Sequence, residues 1–238
     1  MYVLKIRIKF TKLGVMKFVG HLDIMRYFQK VMRRANIDIA YSEGFSPHQI
    51  MSFALPLGVG ITSDGEYLDV EIKTKLTSQE AIKRLNETMA EGIEIVSFRQ
   101  LSEDNKNAMS IVAAADYEIT FREGSKPNAD WENKINEFYD REEIIVTKTS
   151  KKSVKEVDIK PMIYAIAAKD GKVTMKIATG SVSNLKPELV MQAFCEYIGF
   201  EVKEFALIIH RKELFANMGD ENNIELIALE EMGEDINE

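Results

Sequence analysis

Residues 2–10, YVLKIRIKF, and residues 21–35, HLDIMRYFQKVMRRA, decide the fold class between them. In the first stretch Val3 or Leu4, Ile6, Ile8 and Phe10 alternate with Lys5, Arg7 and Lys9. That period of two predicts a strand with one buried face. In the second the apolar residues change to helical spacing, with Leu22, Met25, Phe28, Met32 and Ala35 on one stripe. Arg26, Lys30, Arg33 and Arg34 fall on the other faces of that helix.

The same two periods continue along the chain. A short strand is expected around 38–41, an irregular segment over 42–48 and an apolar stretch over 50–61. Residues 66–73 alternate again. Thr77 or Ser78, followed by Gln79 and Glu80, opens a second helix with Ala81, Ile82, Leu85 and Met89 at helical spacing. Residues 93–99 predict a fourth strand, so the order is β-α-β-β-α-β, the ferredoxin-like pattern. Polar residues 102–108 predict a linker, after which the pattern recurs: strands at 115–121 and 143–149, a helix at 129–140, and strands at 158–168 and 172–179 around Asp170-Gly171. A helix at 187–198 starts on Pro187, and a strand at 205–215 follows. A short extra strand is expected near Val157. The expectation is an α+β fold of two ferredoxin-like (βαββαβ) halves, with antiparallel sheets and helices on one face. Its parts are an N-terminal domain 1–101 carrying the site, a linker 102–109, a C-terminal domain 110–218 and a mobile acidic tail 219–238, in which Ile224 to Leu229 could dock.

Composition narrows the function. With 238 residues, 45% hydrophobic and 29% charged, the chain suits two domains with real cores. Neither a membrane-length apolar run nor a signal-peptide core is present, so a cytoplasmic location is expected. The single cysteine, Cys195, excludes an internal disulfide and a thiolate-held iron–sulfur cluster, and is expected in the core. No cysteine or histidine stands at zinc spacing, so neither metal nor cofactor is expected. The net charge of −7 is unevenly spread. The eight acids after Met218 account for more than all of it. Residues 1–60 carry nine Lys or Arg against Asp23, Asp38 and Glu43, a local charge of +6. A basic region of this kind favours an anionic partner.

Segment 41–60, YSEGFSPHQIMSFALPLGVG, carries the richest chemistry. Its glycines and prolines serve a loop that adopts special backbone angles and approaches a ligand closely. Ser46-Pro47-His48 suggests an anion-binding turn. His21, in the first turn of the first helix, and His48 are candidate catalytic residues, an acid and a base if they converge. Lys30, Arg33 and Arg34 are candidate phosphate contacts, with Tyr27 and Tyr41 as stacking aromatics. Glu66 and Asp69 lack an assignable carboxylate partner. Gly58-x-Gly60 is too short for a nucleotide fingerprint. In the second half Lys160, Asn184 and Lys186 are candidate partner contacts that turn and cap duties explain equally well.

The runs Gly20-His21-Leu22-Asp23 with Arg26, Tyr41 to His48, Ser52 to Leu57, Gly65 to Asp69, Asp158 to Pro161 and Asn184 to Leu189 resemble the radical-SAM-linked domain family. Ser46 departs from it, standing where many relatives are expected to carry Asn. The family is of uncharacterised activity and is similar to a domain fused to, or encoded beside, cobalamin-binding radical-SAM proteins, often near RNA-processing genes. The resemblance implies an accessory or substrate-recognition protein for a radical-SAM partner, plausible in RNA modification. The candidate substrate-binding set is His21, Asp23, Arg26, Tyr41, Ser42, Gly44, Phe45, Ser46, Pro47 and His48. Two other classes stay open: a metal-independent endoribonuclease using His21 or His48, and a protein-interaction scaffold acting through its acidic tail.

Overall fold

A computed structural model of the chain describes residues 3–127, 130–150, 153–220 and 223–237. Tyr2, Ala129, Glu221 and Glu238, which the expectations above include, lie outside them. The fold is mixed α/β, with a large, mostly antiparallel sheet and five helices among the described residues. Two compact units divide it: 1–113 with 213–238, and 114–212.

In the first unit, strand β1 (Leu4–Lys12) is followed by α1 (His21–Arg34), β2 (Met51–Phe53), β3 (Thr62–Ile72), α2 (Ser78–Asn86) and β4 (Ile95–Gln100). β1 pairs antiparallel with β3 and with β4, and β2 pairs antiparallel with β3, Met51 opposite Val70. The expected strand at 38–41 reduces to isolated bridges, Ile39 to Ile72 and Tyr41 to Gln49. Leu4, Ile6, Ile8 and Phe10 are buried as the alternation predicts, in one core with Ala81 and Leu85 of α2. The stripe of α1 differs from expectation. Ile24, Phe28, Val31, Met32 and Ala35 are buried, whereas Leu22 is 61% exposed. Both sets fit a period of 3.6 residues, and packing against β1 and β3 selects the second. Asp23 in the first turn and Arg33 and Arg34 in the last complement the helix dipole. Thr77 caps α2, its hydroxyl accepting from Glu80 N at 3.2 Å.

The opposite face of β1 also differs. Arg7 is 1% exposed rather than solvated. Its guanidinium donates to both carboxylate oxygens of Asp69 on β3, at 2.8 and 2.9 Å, and to the Leu229 and Lys106 carbonyls. The expected linker is thus tied down, and leads into a short helix α3 (Ala108–Ile111) capped by Asn107.

The second unit holds most of β5 (Val112–Phe121), then α4 (Lys134–Tyr139), β6 (Ile145–Ser150), β7 (Ser153–Asp158), β8 (Ile163–Lys169), β9 (Lys172–Ala178), α5 (Pro187–Tyr197) and the start of β10 (Leu207–Asn217). The strand order is β10-β5-β9-β8. The strands expected at 143–149 and near Val157 form a separate two-stranded ladder, β6 with β7. The strand expected from 158 starts only at Ile163. Lys160–Met162 is a 3-10 turn, since Pro161 fixes its own φ and cannot donate to a ladder. Asp170 and Gly171 both take positive φ, +53° and +78°, and close the tight β8–β9 hairpin. Cys195 is buried on α5, and burial pushes its thiol up to about 12.

The tail expected to be mobile is built into the first unit. β11 (Leu226–Ala228) pairs with the end of β10, and β12 (Glu234–Asp235) pairs with β4. Leu229 and Ile236 are buried. Glu230 meets Lys9 at 2.7 Å, and Lys9 also meets Glu213 at 2.7 Å. Arg99 meets Asp235 at 3.4 Å. Glu230 and Asp235 dock because the sheet offers Lys9 and Arg99 as counter-charges.

Burial works against charge on both Lys9 and Glu230, but their hydrogen bonds and mutual attraction outweigh it. The Lys9 pKa is therefore raised and that of Glu230 falls below its ordinary value of 4.5. A carboxylate whose folded pKa is depressed stabilises the fold above its unfolded pKa and loses that contribution as pH falls through the folded value. Glu230→Gln should therefore destabilise the chain at pH 7 by about 1–3 kcal/mol, from the loss of a charged hydrogen-bond partner. Denaturant titrations of both forms should show the gap narrowing below pH ~4.5. A gap unchanged at pH 3 would remove the ion pair from the account.

Candidate binding surface

Residues 41–49 form a closed loop. Ser42 N donates to His48 O at 2.8 Å, His48 N donates to Ser42 Oγ at 3.1 Å, and Ser42 Oγ lies 2.9 Å from His48 Nδ1. Gly44 takes a φ of +106°, which L side chains rarely adopt. The Ser46-Pro47-His48 turn does not present the His48 amide to an anion, because Ser42 accepts from it. Glu43, Gly44, Phe45, Ser46 and Pro47 are all exposed, and the Phe45 ring is wholly in solvent.

Gln49 fixes the base of the loop. Its buried amide donates to the Gln29 carbonyl of α1 at 3.2 Å and to the Tyr41 hydroxyl at 3.3 Å. The loop therefore lies against the middle of α1, not over its start. Leu22, Arg26, Gln29 and Arg33 share one helix face by their three- and four-residue spacing. Arg26 pairs with Asp23 at 3.4 Å, both well exposed, a contact too solvated to hold either side chain. Lys30 and Arg33 are exposed and form no ion pair among the described residues. Arg34 lies over the Tyr27 ring, 5.9 Å from its centroid. Tyr27 is not free to stack on a base: its hydroxyl accepts from Ala90 N at 2.6 Å, and Met89 Sδ lies 3.4 Å from it. Tyr41 is the aromatic left half in solvent.

The two imidazoles do not converge. His21 stands edge-on to Phe53, 5.3 Å between centroids, and Phe53 packs on Phe10 and Phe28 in the core beneath α1. Gln49, Met51 and Phe53 alternate toward that core, so His48 and Ser52 face the other side of the β2–β3 ladder. There His48 borders a cavity of about 260 Å³ with Lys5, Ser52, Glu71, Lys106 and Asn107. Nothing in the sequence pattern marks Glu71 or Lys106. Their only signal is that Glu71 and Asp69 fall on the same strand face as the loop's His48 and Ser52.

Two other candidates, Asp69 and Lys160, have structural partners. Asp69 is engaged by Arg7 and by Ala108 N. Lys160 lies over the Tyr139 ring and donates to the Tyr139 carbonyl. Lys186 is the N-cap residue of α5. Among the described residues no three His, Cys, Asp or Glu side chains are placed to hold a metal ion, and no helix is long and apolar enough to cross a membrane.

Residues 5–187 match a family described as an uncharacterized protein conserved in bacteria (DUF2344). The chain belongs to this family. No curated protein matches it. Among solved structures it is similar to the crystal structure of an unknown protein from Galdieria sulphuraria, at 10% identity and a TM-score of 0.28 over 88% of this chain and 98% of that one. So slight a likeness carries no argument. The family description names no activity, which leaves function to the surface itself.

Ser42→Ala removes both side-chain bonds that close the loop, together worth about 1–2 kcal/mol. Hydrogen exchange at the His48 amide should quicken by about five- to thirtyfold while core amides stay unchanged. Unchanged exchange at His48 would show that the hydroxyl does not hold the loop.

Proposed function

We propose that the chain is a recognition module that holds single-stranded RNA, or a similar anionic substrate, in the cytoplasm for a radical-SAM partner. The observation that carries this is Phe45: an aromatic ring wholly in solvent, at the tip of a loop that hydrogen bonds keep in one shape, fastened to the flank of a basic helix. An unsupported exposed ring gains nothing from folding, whereas a fixed one is ready to stack on a base. Tyr41 adds a second aromatic surface, and Arg26, Lys30 and Arg33 add charges free to meet phosphates.

The chemistry belongs to another protein in this reading. Cys195 is the one thiol, and burial keeps it protonated, so an iron–sulfur cluster has no ligands here. An acid–base pair of His21 and His48 lacks geometric support, which weakens the endoribonuclease alternative. The fold suits a scaffold role. In the first unit β4, β1, β3 and β2 lie side by side, and in the second β10, β5, β9 and β8. Both orders are those of a split βαββαβ motif, supporting two ferredoxin-like halves with β6 and β7 inserted in the second.

Binding of a fluorescent single-stranded RNA should weaken steeply with salt. The double variant Arg26→Gln, Arg33→Gln should flatten the slope of log K against log salt by about 1.4, the value for two lost phosphate contacts on a single strand. Phe45→Ala should weaken binding by about 1–3 kcal/mol with no change in that slope. Undetectable or salt-independent binding would defeat the proposal.

A further inference from the structure

We infer that the cavity beneath the 41–49 loop is a guanine-selective base pocket. This inference rests on the reading of the loop and α1 as an RNA-binding surface, and names the base that the surface would take.

Glu71 is the reason. It stands on β3 directly opposite Lys5 of β1, the register in which a cross-strand ion pair would form. Yet the Lys5 ammonium turns away and donates to the Glu103 carbonyl at 2.6 Å. The half-buried Glu71 carboxylate is left with no hydrogen bond or ion pair among the described residues. Two residues along the same face, Asp69 shows what a structural carboxylate looks like here: Arg7 and the Ala108 amide occupy both its oxygens. Glu71 borders the cavity, and so do two donors without partners among the described residues, the exposed Lys106 ammonium and the second ring nitrogen of His48.

An unpaired carboxylate offers two acceptors side by side. Among the four bases only guanine presents two adjacent donors, N1–H and the 2-amino group, on its Watson–Crick edge. Adenine and cytosine place a ring acceptor beside their amino group, which would face the carboxylate unfavourably. Uracil has one donor between two carbonyls. Guanine O6 and N7 accept from donors of the kind that the Lys106 ammonium and an imidazole N–H of His48 supply. The volume, about 260 Å³, is below the ~300–1,000 Å³ of sites for larger ligands and suits one base. His48 is at once the closing residue of the loop and part of the cavity rim. A strand stacked on Phe45 and Tyr41 therefore reaches the cavity across the β2 edge.

Titration calorimetry with GMP, inosine monophosphate, AMP and UMP on the full chain tests this. GMP should bind at least tenfold more tightly than AMP or UMP, and inosine monophosphate, lacking the 2-amino group, should lose most of that margin. Glu71→Gln should abolish the preference for GMP and leave the melting temperature unchanged, because the native carboxylate has no partner to lose. Equal affinities for GMP and AMP, or a preference that survives Glu71→Gln, overturn the inference. The RNA reading is separated by single-stranded oligouridylate with and without one guanosine. If both bind with the same salt slope and the same affinity, the pocket is refuted and the RNA surface stands. If neither binds but GMP does so through Glu71, the pocket stands and the RNA surface falls.

Discussion

The buried pairing of Arg7 with Asp69 is the contact on which the first unit depends. A guanidinium 1% exposed would cost several kcal/mol if left alone, and removing either partner of such a pair typically costs about 3–5 kcal/mol. The pair has the two-pronged geometry that arginine forms with a carboxylate. Its remaining donors reach the Lys106 and Leu229 carbonyls, and Asp69 also accepts from Ala108 N. One ion pair on adjacent strands therefore fixes three segments far apart in sequence: the sheet, the 106–108 connection and the C-terminal tail.

The acidic tail follows from the same constraint. With Arg7 sealed, the polar face of β1 still carries Lys9, and β4 carries Arg99. Glu230 reaches both, Glu213 reaches Lys9, and the Tyr67 hydroxyl donates to Glu213 at 2.5 Å. Burial, followed by the nearby Glu213 charge, pushes the Tyr67 hydroxyl far up, so it stays a donor. Each group satisfies another, which is the condition for a polar layer to persist away from water. β12 also covers the edge of β4, a strand that would otherwise offer unpaired backbone groups.

What sequence revealed and what it hid divide along this layer. Periods of two and 3.6 placed β1, α1, α5 and the start of α2 within a residue or two, because one-sided burial writes itself into local spacing. Leu22 misled because two apolar sets on α1 satisfy the same period, and only the facing strands distinguish them. Arg7 and Lys9 read as solvent-facing because alternation reports polarity and is blind to a polar cover arriving from about 200 residues away. The tail read as mobile for the same reason: Glu230 and Asp235 are balanced by Lys9 and Arg99, residues distant in sequence. The 41–48 loop was conspicuous through its glycine, proline and histidine content. Glu71 was not, since a lone acid in an alternating strand looks like every other exposed position.

The separation of His21 from His48 turns the N-terminal surface from a catalytic reading to a binding one. Strand alternation at 48–53 sends Gln49, Met51 and Phe53 toward α1 and sends His48 and Ser52 the other way. The loop consequently straddles an edge. Through Gln49 it is tied to the helix carrying Arg26 and Arg33, and through His48 it borders the cavity holding Glu71. Opposed imidazoles cannot share a proton transfer across a sheet, but under the proposed function a fixed loop between a cationic helix and an unpaired carboxylate would hold one extended ligand at both places. Charge attraction would act on the helix side without regard to sequence, while the carboxylate discriminates by hydrogen-bond pattern. Affinity and selectivity are then assigned to different faces of one small sheet, joined by nine residues.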